Sequence, residues 1–484
     1  DAGETPFYVY PYFKKQVEEG NSYYSLANTT SRSVAFFTNG TYSYKGKYVF
    51  NGTYRYEGSN QMGRSSKARW MSTWNVSGSW NVHEEKWFDK LNPLSHLTLR
   101  ASYSLTGTPP DISYSNSTPI FLSYNPHRLF TEDKESAIGL EQLGNIDLTY
   151  EKKNELNLGV DFGLWRDRLN VTFDVYTRNN FDEMGPMITQ GVGGEIVRAA
   201  NVAEMHSNGM ELSISSTNIK TKDFSWITNF IYSYTNTKIT KLYNQGSVIN
   251  LVSGNGFALK GYPARSLFSI PFVGISDEGT PLFRNEKGEI TSTDINFQER
   301  AKTDFLKYEG PTDPVYTGSL GNIFSYKNFH LNIFMTYSFG NVLRLDPVFK
   351  SAYNDLSSMT KVFKNRWMRG GDELITNVPT IIDRYKYRKT SNVDRVYSAY
   401  NLSNVRVAKG DFIRLKEISL AYDFPKTWFS NTPINNLSVK LQATNLFLLY
   451  ADKKLNGQDP EFFNVGGVAS PMPKQFTLTV KVGL

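Results

Sequence analysis

Five histidines, His83, His96, His127, His206 and His330, are the side chains here best suited to hold a metal or shuttle a proton. Such a centre needs them clustered, often as two turns of one helix in an H-E-x-x-H pattern, and their spacing provides no cluster. Asp111, Asp133, Asp372 and Asp394 lie in polar stretches where a general acid or base would be accessible. Glycosidase chemistry requires two carboxyl groups at a set separation, and nothing in the sequence pairs them, so they read as solvated loop groups. Gly191-Val192-Gly193-Gly194 and Gly254-Asn255-Gly256 resemble phosphate loops in composition alone, because neither follows a strand and opens a helix. Asn28-Thr29-Thr30 and Asn51-Gly52-Thr53 fit the glycosylation triplet, which matters only in a eukaryotic secretory setting. The chain has no cysteine, which excludes thiolate metal sites, cysteine nucleophiles and disulfides. Neither a catalytic centre nor a cofactor is expected.

The residues that remain for function are aromatic. Tyr114 and Tyr124 fall in the stretch 107–150, and Trp367, Tyr385 and Tyr387 fall in 341–408, both rich in loop-forming residues. Rings with an apolar face and a polar edge stack on sugars or on a protein partner. The competing reading is that they pack the loops together or sit in an interfacial girdle.

The elements that carry these loops are strands. Aromatic residues make up 14% of the chain (30 Tyr, 32 Phe, 8 Trp) while hydrophobic residues total only 39%, a balance that favours strand over helix. Tyr48, Phe50, Gly52, Tyr54 and Tyr56 alternate with Val49, Asn51, Thr53 and Arg55, a period of two. Ser33–Tyr44 and Tyr48–Tyr56 form a hairpin about Lys45-Gly46. The same alternation marks strands around Trp70–Trp80, Leu97–Leu105, Leu156–Leu164, Leu169–Val175, Met210–Ile214, Phe224–Tyr234, Leu320–Tyr326, Phe329–Phe339, Ile418–Phe424, Leu437–Ala443 and Phe476–Leu484. No run approaches the roughly 18 apolar residues of a membrane helix, but a barrel wall that is apolar on one face only escapes that test.

The links between strands alternate in length. Short ones at 45–46, 83–92, 165–167, 217–222, 327–328 and 425–434 are each followed by a longer one at 58–67, 107–150, 180–207, 237–313, 341–408 or 449–473. Outer-membrane barrels have short periplasmic turns and long outer loops, so all the long links are expected on the extracellular side. The expected fold is all-β, part of a large antiparallel transmembrane β-barrel. Residues 1–31 are a loop or strand remnant and 32–484 the wall. About 13 of roughly 22 strands are present, and an odd tally implies strands supplied from elsewhere. The N-terminus carries no basic and apolar leader, so the chain is expected to begin after cleavage or midway along a longer protein. The charge of +7 is scattered, which argues against nucleic acid as a partner.

Several segments resemble the C-terminal half of the SusC-like (RagA-like) branch of TonB-dependent outer-membrane transporters of Bacteroidetes. They are Gly144-Asn145-Ile146-Asp147-Leu148-Thr149-Tyr150-Glu151-Lys152, Leu158-Gly159-Val160-Asp161-Phe162-Gly163, Asn208-Gly209-Met210-Glu211-Leu212 and Asp223-Phe224-Ser225-Trp226. Further on come Gly310-Pro311-Thr312-Asp313-Pro314-Val315-Tyr316, Asn365-Arg366-Trp367-Met368-Arg369-Gly370-Gly371-Asp372 and Gln442-Ala443-Thr444-Asn445-Leu446-Phe447. The most specific runs from Gly410-Asp411-Phe412-Ile413-Arg414 to Tyr422. The resemblance implies import of oligosaccharides or oligopeptides, outer-membrane lipids around the wall, a SusD-like surface lipoprotein as lid, and energy from the TonB complex. It also implies a plug domain and a TonB-contacting segment, which have no counterpart in this chain. Leu484 stands where such barrels usually close with an aromatic. The alternatives are a TonB-dependent siderophore or cobalamin receptor, and a soluble secreted all-β glycan-binding protein.

Overall fold

Alternation of apolar and polar residues commits a segment to a strand with two unlike faces, and strands must pair to satisfy their backbone. The computed structural model describes residues 30–60, 62, 66–88, 91–109, 119–124, 137–142, 144–188, 197–349, 359–381, 393–430, 432–463 and 472–483. Thirteen strands form one sheet in which every neighbour is the next wall strand along the chain. We number them β1 (Ser33–Tyr44), β2 (Tyr48–Ser59), β3 (Trp70–Asn81), β4 (Leu94–Thr108), β5 (Glu151–Leu164), β6 (Leu169–Ile188) and β7 (Val197–Lys220). They continue as β8 (Phe224–Leu242), β9 (Tyr316–Tyr326), β10 (Phe329–Phe339), β11 (Phe412–Asp423), β12 (Asn436–Ala451) and β13 (Gln475–Gly483). All pairings are antiparallel. In such a meander successive links must alternate between the two rims.

The register makes one face continuously apolar. A single ladder row runs Tyr48, Trp80, Leu99, Val160, Phe173, Leu212, Tyr232, Gly318 and Tyr337 across nine strands. The adjacent row on the other face runs Val49, Ser79, Arg100, Gly159, Asp174, Glu211, Ser233, Thr317 and Ser338. Both rows begin beside the short turn at 45–47 and end beside the long link after β10, so the strands are tilted, as closure of a barrel requires. Rings gather near both rims. Tyr326, Phe329 and Trp428 are exposed at the short-turn rim, and Tyr54, Tyr103, Tyr316 and Tyr450 toward the other. Among the described residues no helix is long and apolar enough to cross a membrane; strands of 9 to 24 residues span the wall instead.

Three long links depart from the expectation of open loops. Residues 180–207 are mostly hairpin: β6 runs on to Ile188 and β7 starts at Val197, and the pairs Glu183↔Ala203 to Ile188↔Val197 extend the wall. A bulge between Asn180 and Glu183, with Asp182 at φ 58°, hid this continuation by breaking the period of two. The links 243–315 and 340–411 fold together into a crown. It holds the helices Val248–Val252 and Val393–Asn401, the strand pair Ser266–Ser269 with Lys307–Pro311, and the pair Val342–Arg344 with Val407–Lys409. Val252, Phe268, Ile270, Phe283, Val348, Phe349, Tyr397 and Tyr400 belong to its core, the largest among the described residues. Phe349 stacks on Tyr397 with ring centroids 4.5 Å apart, and Ile270 bridges to Ser403, binding one link to the other.

Candidate functional site

A polar wall face enclosed by a barrel lines a lumen, so the site is built from that face and from what the crown places over it. Small residues are its foundation. At Gly209 a methyl would collide with the ring of Tyr176, which crosses β7 there so that its hydroxyl lies 2.7 Å from Thr235 Oγ1 on β8. The Arg178 guanidinium sits 3.8 Å from the centre of that ring and donates through Nε to Glu155 at 2.6 Å. Gly159 seats Arg100 in the same way, and Arg100 donates to Asp161 at 2.6 Å and to Asp174 at 3.0 Å. Charges on this face are thus fixed in pairs and triads. We expect Gly209→Ala to push Tyr176 off its seat at a cost of about 1–3 kcal/mol. The temperature at which the folded gel band is lost should fall, and Tyr176→Ala in the same chain should make it little worse.

The crown meets the wall through residues of the most specific motif. Gly410 leaves room only for the Asn341 side chain, and the Gly410 N–H donates to the Asn341 carbonyl at 2.8 Å. Asp411 Oδ1 accepts from Gly340 N–H at 2.7 Å. Arg414, 2% exposed, donates to both oxygens of Asp459 at 2.6 and 2.7 Å, and Asp459 is fully buried. Asp459 comes from the last long link, which also docks Leu455 and Phe463 against Leu343 and Leu345. Thr312 of the Gly310–Val315 motif receives the Asn341 amide and donates its own N–H to Arg265. These motifs therefore fasten three long links to the rim.

Beneath that junction lies a recess of about 270 Å³. Asn180, Met205, Ser207, Thr235 and Thr237 of the wall form one side, and Pro263, Arg265, Asp313 and Pro314 of the crown form the other. Ser207 and Thr237 hydroxyls are 2.8 Å apart, and Asn180 Oδ1 is buried without a partner. Hydroxyls, an amide and an Arg265–Asp313 pair at 2.8 Å suit hydrogen bonding to a polar solute. Among the described residues no three His, Asp or Glu converge to hold a metal.

Of the aromatic residues singled out from sequence, Tyr114, Tyr385 and Tyr387 lie outside the described residues. Tyr124 ends the Ile120–Tyr124 strand opposite Ala137. Trp367 is in the crown, half-buried, with its indole N–H donated to Glu373 at 3.0 Å and its ring against Gly279. It braces a tip on which Met368, Leu374 and Ile375 stand out, the last two 86% and 84% exposed. Tyr397 is core. The sequence reading missed the Arg100 and Arg178 clusters and the recess, although the polar residues of each strand are visible as the alternate positions; cross-strand register, which the sequence leaves open, is what brings them together.

The match of residues 4–446 to the family described as TonB dependent receptor-like, beta-barrel, decides the assignment. The chain belongs to that family. It is 26% identical over 444 residues to a TonB-dependent receptor of Formosa agariphila, covering 88% of this chain and 42% of that protein. It is 25% identical to the TonB-dependent receptor SusC of Bacteroides thetaiotaomicron, covering 95% of this chain and 44% of SusC. The chain thus spans less than half the length of these relatives. Among solved structures the RagAB peptide transporter superposes with a TM-score of 0.75 at 23% identity, over 93% of this chain and 48% of that one. TonB-dependent receptor barrels lie in the outer membrane. The continuous apolar face is accordingly the lipid face of the receptor wall, and the Arg100 face lines its lumen. A soluble secreted glycan-binding protein is ruled out by this membership.

Proposed function

We propose that this chain forms part of the wall and crown of an importer that carries oligosaccharides or oligopeptides across the outer membrane. A SusD-like surface lipoprotein serves as its lid, and the TonB complex supplies energy through the rest of the protein. The observation that carries this reading is the polar recess between wall and crown: its hydroxyls, amide and ion pair suit a hydrogen-bonding solute. Membership of the TonB-dependent receptor family supports outer-membrane import, and the RagAB peptide transporter, which this chain resembles in fold, is consistent with a peptide among such cargo. The long links lie on the extracellular side, and the exposed Met368, Leu374 and Ile375 are the contact for the lid. Tyr114, Tyr124, Tyr385 and Tyr387 are candidate cargo or partner contacts, with Trp367 positioning the tip. No catalytic step is assigned.

The test is uptake by the intact organism. Deleting the partner lipoprotein or TonB should abolish growth on the purified oligosaccharide or oligopeptide cargo. Uptake unchanged by either deletion sinks the proposal, and uptake of a ferric chelate that needs TonB but no lipoprotein supports a siderophore receptor instead.

A further inference from the structure

The short-turn rim carries a surplus of positive charge that the lumen and crown do not use. Its six turns hold eight Lys and Arg against four Asp and Glu among the described residues, a surplus equal to more than half of the chain's net +7. Most of the carboxylates are already engaged. Glu85 accepts from Lys47 at 2.7 Å and from Tyr48 at 2.9 Å, which holds it below the usual carboxylate range. Asp167 Oδ1 is 2.9 Å from His96 Nδ1, and Glu84 is 3.8 Å from His83. Lys45, Lys86, Arg166, Arg168, Lys327 and Lys426 are exposed, with no carboxylate in ion-pair range among the described residues.

Two features separate these cations from ordinary solvated turn residues. Lys45, Arg166 and Lys327 sit at φ 52°, 58° and 51°, left-handed positions where glycine or asparagine is less strained. Long basic side chains occupy them despite that cost. Lys45 and Lys327 also fold back toward the wall: their ammonium groups lie 5.1 and 5.6 Å from the ring centres of Tyr44 and Tyr326. Those rings belong to the rim girdle, which rests at the level of lipid headgroups. The charges therefore point along the membrane surface.

We propose that the short-turn rim is a basic collar that binds the phosphate headgroups of anionic glycerophospholipids in the periplasmic leaflet. A phosphate beside Lys45 or Lys327 meets an ammonium ion and a tyrosine hydroxyl together, while the acyl chains run up the apolar wall. The collar rests on the orientation of the barrel and holds whatever the cargo.

The experiment uses the full-length receptor in phosphatidylcholine vesicles with spin-labelled phosphatidylglycerol or phosphatidylcholine, reading the motionally restricted fraction by electron paramagnetic resonance. Wild type should prefer phosphatidylglycerol about fivefold, the Boltzmann factor for one headgroup against one basic residue. The preference should fall toward one in high salt. It should also be lost in Lys45→Gln/Arg166→Gln/Arg168→Gln/Lys327→Gln, checked for folding by its heat-modifiable gel band. Lys241→Gln at the opposite rim should leave it intact. If the quadruple variant fails to fold, Lys45→Gln/Lys327→Gln should lose part of the preference. An absent preference in wild type overturns the collar, as does one unchanged in the collar variants. So does a collar that captures a soluble acidic periplasmic protein while showing no lipid preference.

Discussion

Arg414→Ala should release the last long link from the wall. The substitution strands the Asp459 carboxylate, which has no exposure and receives both of its short ionic bonds from Arg414. Removing one member of a buried pair costs about 3–5 kcal/mol, because the remaining charge has lost its solvent and its partner. Glu461, 3.1 Å from the same guanidinium, is 40% exposed and tolerates the loss. The cost falls on local opening of the segment. Amide exchange over Asp452–Phe463 should quicken by roughly two to three and a half decades, at about 1.4 kcal/mol per decade. Replacing both residues with leucine should restore much of the protection, since an apolar pair of similar volume replaces a buried ion pair at little cost. Exchange in Arg414→Ala matching wild type would mean that the pair does not hold the link.

The second large effect is expected at Arg344, the cross-link of the crown. It is 7% exposed and donates to the Ser403 carbonyl at 2.7 Å, the Phe268 carbonyl at 2.6 Å and the Val252 carbonyl at 3.2 Å. Burial pushes its pKa down to about 10, so it remains charged at neutral pH. One planar fork thereby ties the link 243–315, through Val252 and Phe268, to the link 340–411, through Ser403. Lysine keeps the charge but concentrates its donors at one point, so Arg344→Lys leaves at least one carbonyl unpaired. We expect the variant to lose about 2–4 kcal/mol of crown stability. Limited proteolysis should cut within 243–315 and 340–411, while the wall keeps its compact, heat-modifiable migration. Wild-type resistance to protease in Arg344→Lys would refute this role.

Much of the wall was legible in the sequence because its physics is local. Tyr48 to Tyr56 declares a strand by alternation alone, and the rule that neighbouring strands pair gives the meander. Where the alternation breaks, the strand is no longer legible. The bulge at Asp182 concealed the upper arms of β6 and β7. The crown was hidden for a different reason: Phe349 and Tyr397, or Ile270 and Ser403, meet across connections with no periodic pattern to announce a core. Motifs such as Gly410-Asp411 were visible as signatures, but their task is set by Asn341 and Gly340, about 70 residues earlier. Trp367, a candidate contact for cargo or partner from its residue type, is tied by its indole N–H to Glu373 beside the exposed tip, a link that the sequence does not announce.

One wall face meets lipid and the other lines a lumen, and because this chain has no cysteine a single one placed in it reports its own position. Single cysteines at Lys153, Leu156, Asn157, Leu158 and Val160 of β5 in the full-length receptor would be probed with a membrane-impermeant thiol reagent and with a lipid-soluble one. Positions 153 and 157 should react with the aqueous reagent while 156, 158 and 160 react with the lipid-soluble one. Uniform labelling from water along the whole strand would contradict it.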